Sequence, residues 1–417
     1  MARTLTPKDA YAIMNLLVAE ATGQQSITAT DVSSFVSAGE LVLATGKENV
    51  LNSLTLVLNR TIVASRPYRA RLDLMEQVDT GLYSSRVRKI SYYANDALPS
   101  GDFNTDLFTN FADGYTSGDN SGSSTKSQWE QHPKVALEMN FAGSSTWQYC
   151  VTRYEDQLQA AFRSPEEFAS FISGYLTEAA NDIESQREAW NRMNLLNKIG
   201  SVYDMSAAMP GSVINLTTAF NTKFGTSYTA SQLRSTYLKE FLEFFVATVK
   251  TVSRMMEHRT TKYHWTPMDP GGNGLALLRH TPRSRQQMYL YAPLFIDAEA
   301  QVLPEIFNDQ YLSIDNYQGV DYWQTFDSPA SVSVTPAVTE TDATDPAYGT
   351  QVAGTAVSLD YVVGLITDVD GLMTNFQAEI VRSTPVEARK GYRNIWTTFL
   401  RNNICDNTEN CVLFVMS

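Results

Sequence analysis

Cysteine, histidine and long apolar runs are scarce in this sequence, and each shortage excludes a class of protein. Three cysteines, Cys150, Cys405 and Cys411, are too few and too odd in number for a disulfide framework. They fit a chain made in a reducing cytosol. No apolar stretch approaches the length of a membrane span. The run Leu16, Leu17, Val18 is interrupted by Glu20, so the amino-terminal region does not read as a signal peptide. Charged residues make up only 18% of the 417, and acids outnumber bases for a net charge of −13. Such a surface repels phosphate backbones and carries no polybasic footprint for nucleic acid.

What remains is a well-ordered composition, 43% apolar and rich in aromatics. At this length two or more domains are expected. Thr6-Pro7 starts a helix with Ala10, Ile13, Met14 and Leu17 on one face. Residues 31–44 and 48–64 read as two more. Then a basic limb begins: Arg66, Arg69, Arg71, Arg86, Arg88 and Lys89 stand against only Asp73, Glu76 and Asp79. Its segment "GLYSSRVRKISYYA" reads as a strand packed through Tyr83, Val87 and Ile90. An acidic limb follows, with Asp96, Asp102, Asp106, Asp113 and Asp119 and no base before Lys126. Loops of this length are functional or disordered. Paired limbs suit a self-complementary projection toward neighbouring copies, and a solvated hairpin with a loose tip is the plainer alternative.

"SPEEF" opens the clearest helix, with Ser164 as cap, Pro165 in the first turn and Glu167 placed for a capping box. Phe168, Ile172, Tyr175, Ala179, Ile183, Trp190 and Met193 continue one apolar stripe. Over residues 166–199 that helix is about 50 Å long. A second strong helix is expected over 230–258, capped by Thr229 and Gln232, with Leu233, Tyr237, Phe241, Phe244, Phe245 and Val249 inward. Beyond it "GLALLRH", "QMYLYA", "VDYWQTF" and "YVVGLITD" read as strands, with a helix over 293–303. Helices first and short mixed elements later indicate an α+β protein. Near its end the sequence places an aromatic-rich strand, the turn "DNTEN", and the apolar run Val412 to Met416, which predicts a buried returning strand.

Catalytic and metal motifs are weak. His258, His264 and His280 lack zinc spacing and read as structural histidines. Cys405 and Cys411 bracket the turn and read as small buried hydrophobes, a disulfide across the hairpin being the alternative. "PMDPGGNG" lacks the ending of a phosphate loop and is a turn. "TDVDG" echoes a calcium loop without its downstream glutamate. Seven acids among aromatics between Phe295 and Asp327 leave a carbohydrate-active enzyme or binding protein as one alternative function. No catalytic residue, cofactor or metal is assigned.

The order of elements resembles the major capsid proteins of tailed bacteriophages, with the Hong Kong-type shell fold also seen in encapsulin compartments. "PVEARKGYRNIWTTFLRNNICDNTENCVLF" is similar to the carboxyl-terminal strands of capsid proteins from podovirus-like gut phages, and "RHTPRSRQQMYLYAP" to the start of their axial domain. The resemblance implies a helical amino-terminal arm (1–65), an extended projecting loop (66–133), a peripheral domain with a spine helix (134–214), an axial domain (215–378) and carboxyl-terminal strands returning to the peripheral domain (379–417). It implies self-assembly into hexamers and pentamers of an icosahedral shell around double-stranded DNA. No membrane is involved; portal and possible scaffold, decoration or head-fibre proteins are further partners. The expected location is the virion capsid, assembled in the host bacterial cytoplasm. Arg66, Arg69, Arg71, Arg86, Arg88 and Lys89 become the expected subunit-interface cations, meeting acids on adjacent copies. An encapsulin-like nanocompartment shell is the structural alternative.

Overall fold

The structure is a computed structural model that describes residues 7–22, 27–44, 72, 74–79, 86–94, 134–143, 145–154, 165–268, 275–294, 296, 316–387 and 389–417. The expected helix over 48–64, Arg66, Arg69 and Arg71, the Ser164 cap and most of the 295–327 acidic segment lie outside those residues.

Two helices come first, α1 (Pro7–Thr22) and α2 (Val32–Ala44). They pack on each other through the expected face, Ala10, Ile13, Met14 and Leu17, against Phe35, Ala38 and Val42. Asp31 starts α2 by accepting from the Ser34 amide at 2.7 Å. The spine is α3 (Pro165–Asp204), 40 residues and about 60 Å long. It outruns the expected span by five residues at its far end. Its stripe also turns away from the expectation. Trp190 is buried as expected, but Met193 is 47% exposed, while Leu195, Ile199 and Val202 are buried in its place. A strict seven-residue repeat drifts about 20° per heptad around a straight helix, so a stripe read that way leaves the core after several turns.

Four strands form the sheet beneath the spine: β1 (Glu76–Asp79), β13 (Leu372–Ser383), β14 (Tyr392–Cys405) and β4 (Ser145–Tyr154), in that order. β1 runs parallel to β13, and the other pairs are antiparallel. Trp190 of the spine sits edge-on to Trp147 and Phe399 of this sheet, with the Arg401 guanidinium 4.4 Å from its ring centre. A separate hairpin pairs β2 (Arg86–Tyr92) with β3 (Ala136–Ala142). Val87 and Ile90 do not share its inner side. Residues three apart point to opposite faces of a strand, and Ile90 is 49% exposed while Ser91 and Tyr93 are buried.

The second sheet has the order β5 (Val213–Asn215), β15 (Cys411–Val415), β12 (Val362–Asp368), β6 (Gln286–Tyr291) and β7 (Asn316–Val320). All residues of β6, β12 and β15 are buried. The reading that returned 379–417 to the peripheral domain meets a division: β14 lies in the four-stranded sheet, whereas β15 lies inside the five-stranded one. Small hairpins pair β8 (Val332–Val334) with β11 (Val357–Leu359), and β9 (Ala337–Thr339) with β10 (Gln351–Ala353).

Three short-range expectations change. Helix 230–258 is two helices, α5 (Ala230–Ser235) and α6 (Leu238–Met256), after α4 (Leu216–Phe224). The Thr229–Gln232 capping box is present, but Tyr237 leaves helical geometry and stacks on Tyr228 with ring centres 4.0 Å apart. Residues 275–280 make no strand, because the Ala276 and Leu277 carbonyls bond Ala94 and His264 instead of a ladder. Within "VDYWQTF" only Val320 is in a strand. Trp323 then tucks inward, its indole N–H donating to the Val362 carbonyl at 2.9 Å. One core cluster spans Leu72 to Met416 and joins both sheets to α3, α4, α5 and α6. No described helix is long and apolar enough to cross a membrane.

Candidate functional site

Five polar residues, Asp406 to Asn410, connect β14 to β15, and none is more than 6% exposed. A turn of Asp, Asn, Thr, Glu and Asn belongs at a surface, since each buried polar atom needs a partner. Here every member finds one. The Asp406 carboxylate accepts from the Lys89 ammonium at 2.5 Å and from the Thr408 amide and hydroxyl, both at 2.8 Å. Glu409 accepts from the same ammonium at 2.5 Å and faces Arg279 at 3.3 Å. Arg279 also donates to the Thr408 carbonyl at 3.0 Å and to the Ser91 hydroxyl at 2.7 Å. From the spine, Lys198 donates to the Asp406 carbonyl at 2.6 Å and to the Asn407 side-chain oxygen at 3.1 Å. Main-chain bonds complete the closure: Trp265 N–H to the Asn407 carbonyl at 2.8 Å, and Asp368 N–H to that of Asn410 at 3.0 Å.

His264 adds a neutral contact. Its Nε2 lies 2.7 Å from the Leu277 carbonyl, which only accepts, so that nitrogen carries the proton. Nδ1 and the Asn410 side-chain amide are 3.0 Å apart, and that amide also meets the Thr281 hydroxyl at 3.2 Å. Burial holds the His264 pKa below its ordinary value, in keeping with a neutral ring.

The charges are unequal in environment. Burial raises both carboxyls, but for Asp406 the Lys89 ammonium and the bonds from Lys89 and Thr408 win, leaving it below the ordinary value. For Glu409 burial and the Asp406 charge prevail over Lys89 and Arg279, leaving it above. Burial pulls Lys89 down, yet its two carboxylates hold it above the lysine value.

The hub therefore gathers the hairpin (Lys89, Ser91), the spine (Lys198, Ser201), the loop before β6 (His264, Arg279, Thr281) and the β14–β15 turn. It is a mechanical joint. A polar stripe along the spine extends it. Asn191 donates to the Leu72 carbonyl at 2.6 Å, Asn194 to that of Met373 at 2.9 Å, and Ser201 to the Asn407 side-chain oxygen at 3.3 Å. With Lys198 these recur every three or four residues, on a buried face.

Lys89 was expected to meet a neighbouring copy; its partners are Asp406 and Glu409 of its own chain, because its side of β2 faces inward. Arg88 is on the outer side and pairs across the hairpin with Glu138 at 2.7 Å. Arg86 shares that outer face. His258 and His280 are exposed and apart from the buried His264. Among the described residues no group of three or more His, Cys, Asp or Glu is placed to hold a metal. Cys405 and Cys411 are free thiols. The first lies 3.8 Å from the Ser201 hydroxyl, and burial pushes the second up to about 11. In "TDVDG" the Asp368 and Asp370 carboxylates bind Arg285, at 3.1 and 2.5 Å.

Residues 93–415 match the family model of the Phi29-like phage major capsid proteins. The chain belongs to that family. As a major capsid protein it forms a phage shell, and its architecture mixes helix and strand. Among solved structures it is similar, at 9% identity and a TM-score of 0.49, to a chain of the capsid of Staphylococcus phage Andhra, over 84% of each chain. A chain from the head fiber and inner core protein gp22 structure of native bacteriophage P68 has the same identity and TM-score, over 82% of this chain and 83% of that one. No curated protein matches the capsid protein.

Proposed function

We propose that copies of this capsid protein assemble into hexamers and pentamers, which close as an icosahedral shell around the double-stranded DNA of a tailed phage. The observation that carries this reading is the two-sided hairpin. Its inner side is clamped to the hub through Lys89 and Ser91, while Arg86, Arg88, Ile90 and Tyr92 stand outward, Tyr92 being 59% exposed. Tyrosine and arginine are enriched where proteins meet. A strand pair fixed at one side, with two arginines, an isoleucine and a tyrosine exposed on the other, suits contact with an adjacent subunit. Arg66, Arg69, Arg71, Arg86 and Arg88 are the proposed interface cations. Single exposed pairs contribute little, so their effect comes from repetition around the capsomer.

The DNA is enclosed without sequence readout, consistent with the net charge of −13. Portal, and where present scaffold, decoration or head-fibre proteins, are the other partners, and assembly takes place in the host bacterial cytoplasm before the protein becomes part of the virion. The role is structural rather than enzymatic. The family match favours the phage shell over both the encapsulin-like compartment and the carbohydrate-active alternative.

Electron microscopy of the purified full-length protein is the test. Rings of five or six subunits, or closed particles, are expected. Lone molecules at every salt and protein concentration would overturn the reading.

A further inference from the structure

Phe326 is 78% exposed, the highest value among the large apolar side chains of the described residues. The loop that carries it, which follows β7, is nonetheless firmly built. Trp323 donates its main-chain N–H to the Pro329 carbonyl and its indole N–H to that of Val362, both at 2.9 Å. The Gln324 side chain bonds the Ser333 amide at 2.8 Å and the Ser333 carbonyl at 2.9 Å. From the spine, Arg192 donates to the Tyr322 carbonyl and holds its guanidinium 3.7 Å from the centre of the Tyr322 ring. The Phe326 ring lies on Tyr322, centres 3.9 Å apart, and is otherwise open to solvent. It is a fixed knob with acidic surroundings. Asp321 and Asp327 flank it and are exposed. Arg192 is tied to Glu188 at 2.8 Å, and residues 286–381 hold fourteen acids with no Lys or Arg.

The outer side of the β2–β3 hairpin has the complementary character. Arg86, Arg88, Ile90 and Tyr92 are exposed there beside one acid, Glu138, and Lys134 is exposed just before β3. Aromatic faces and carboxylates are the groups on which a guanidinium settles, and Ile90 and Tyr92 offer apolar area to Phe326. Both surfaces are open in the single chain, so they can meet only between copies. The hairpin reaches the spine at Lys198 by way of Asp406, and the Phe326 loop reaches it at Arg192. Side chains six residues apart point about 120° apart around a helix. The two surfaces therefore leave the spine in different directions, as a head-to-tail contact needs. We infer that the Phe326 knob docks on the outer side of the hairpin of a second copy, with Asp321 and Asp327 facing Arg86 and Arg88. This rests on the shell reading and names what the outward hairpin meets.

Full-length Arg86→Glu and Asp327→Arg proteins, each shown to be folded by an unchanged thermal transition, test it through light scattering and micrographs. Each reversal alone should raise the protein concentration needed for rings or particles about tenfold, as should Phe326→Ser. Both reversals in one chain should restore assembly. Mixing the two single variants should restore it as well, because each reversed surface then meets its opposite on the next copy. Strict alternation closes rings of six and not of five. Assembly of Phe326→Ser and of both reversals at wild-type concentrations overturns the inference, and wild-type particles keep the shell reading intact. Loss without rescue in the double variant overturns it too. So does rescue in the double variant but not in the mixture, which marks a contact within one chain. A wild type that stays monomeric overturns the shell reading and this contact with it.

Discussion

Lys198 and Asp406, 208 positions apart in the sequence, meet through a 2.6 Å bond from the lysine ammonium to a main-chain carbonyl, with the lysine wholly removed from solvent. A buried ammonium is costly unless its donors are used; here it ties the spine to the turn that precedes β15.

Replacing it tests how much the joint contributes. Lys198→Met fits the same volume but leaves the Asp406 carbonyl and the Asn407 oxygen short of a donor. A loss of about 2–4 kcal/mol is expected, read as a lower urea midpoint with unchanged slope.

The hub's response to pH has three parts. Asp406, lowered from 3.8, contributes stability above that pH and loses it as the pH falls through its depressed value. Glu409, raised from 4.5, contributes below that pH and loses its share as the pH rises through its elevated value. Lys89, raised from 10.5, contributes fully below that pH and loses it above. Lys89→Met should therefore cost about 3 kcal/mol at neutral pH. The cost should shrink in acid as the abandoned carboxylates take up protons. Glu409→Gln should flatten the stability gain that the wild-type group gives on acidification from neutral pH toward 4.5. Urea midpoints across the range check both.

Gly364 tests the seat of β15. A Cβ there would come within 2.8 Å of the Tyr289 carbonyl oxygen and of Leu290 Cδ2, where β12 shifts register against β15. Backbone cannot yield as a side-chain tip does. Gly364→Ala should lower stability by about 1–3 kcal/mol, measured by thermal unfolding.

Removing residues 1–44 separates arm from body. The central core cluster draws no residue from α1 or α2, although α1 also rests on the spine. The shortened protein should retain a cooperative unfolding transition and lose particle formation, scored by calorimetry and micrographs. Loss of the transition would make these helices part of the core.

Long, strongly patterned elements were legible in the sequence. The spine, the Thr229–Gln232 cap, β6, β12 and the buried run Val412 to Met416 all follow from local periodicity and capping chemistry. What escaped was set by distant contacts. Tyr237 breaks a helix because Tyr228 stacks on it, and residues 275–280 are drawn from a ladder by Ala94 and His264. The hub was half visible: the turn's polarity was plain, and Asn191, Asn194, Lys198 and Ser201 recur at helical spacing, a signal overlooked beside the apolar stripe. Lys89 gave no local sign of facing inward, because its partners lie more than 300 positions away.

β15 is the latest of its five strands in chain order, yet it lies between β5 and β12. While the ribosome is still translating the residues ahead of Cys411, those two neighbours have nothing between them, and the clamp for Lys89 and Lys198 does not exist. A polypeptide halted before this strand leaves β5 and β12 unbridged and lacks the finished five-stranded sheet.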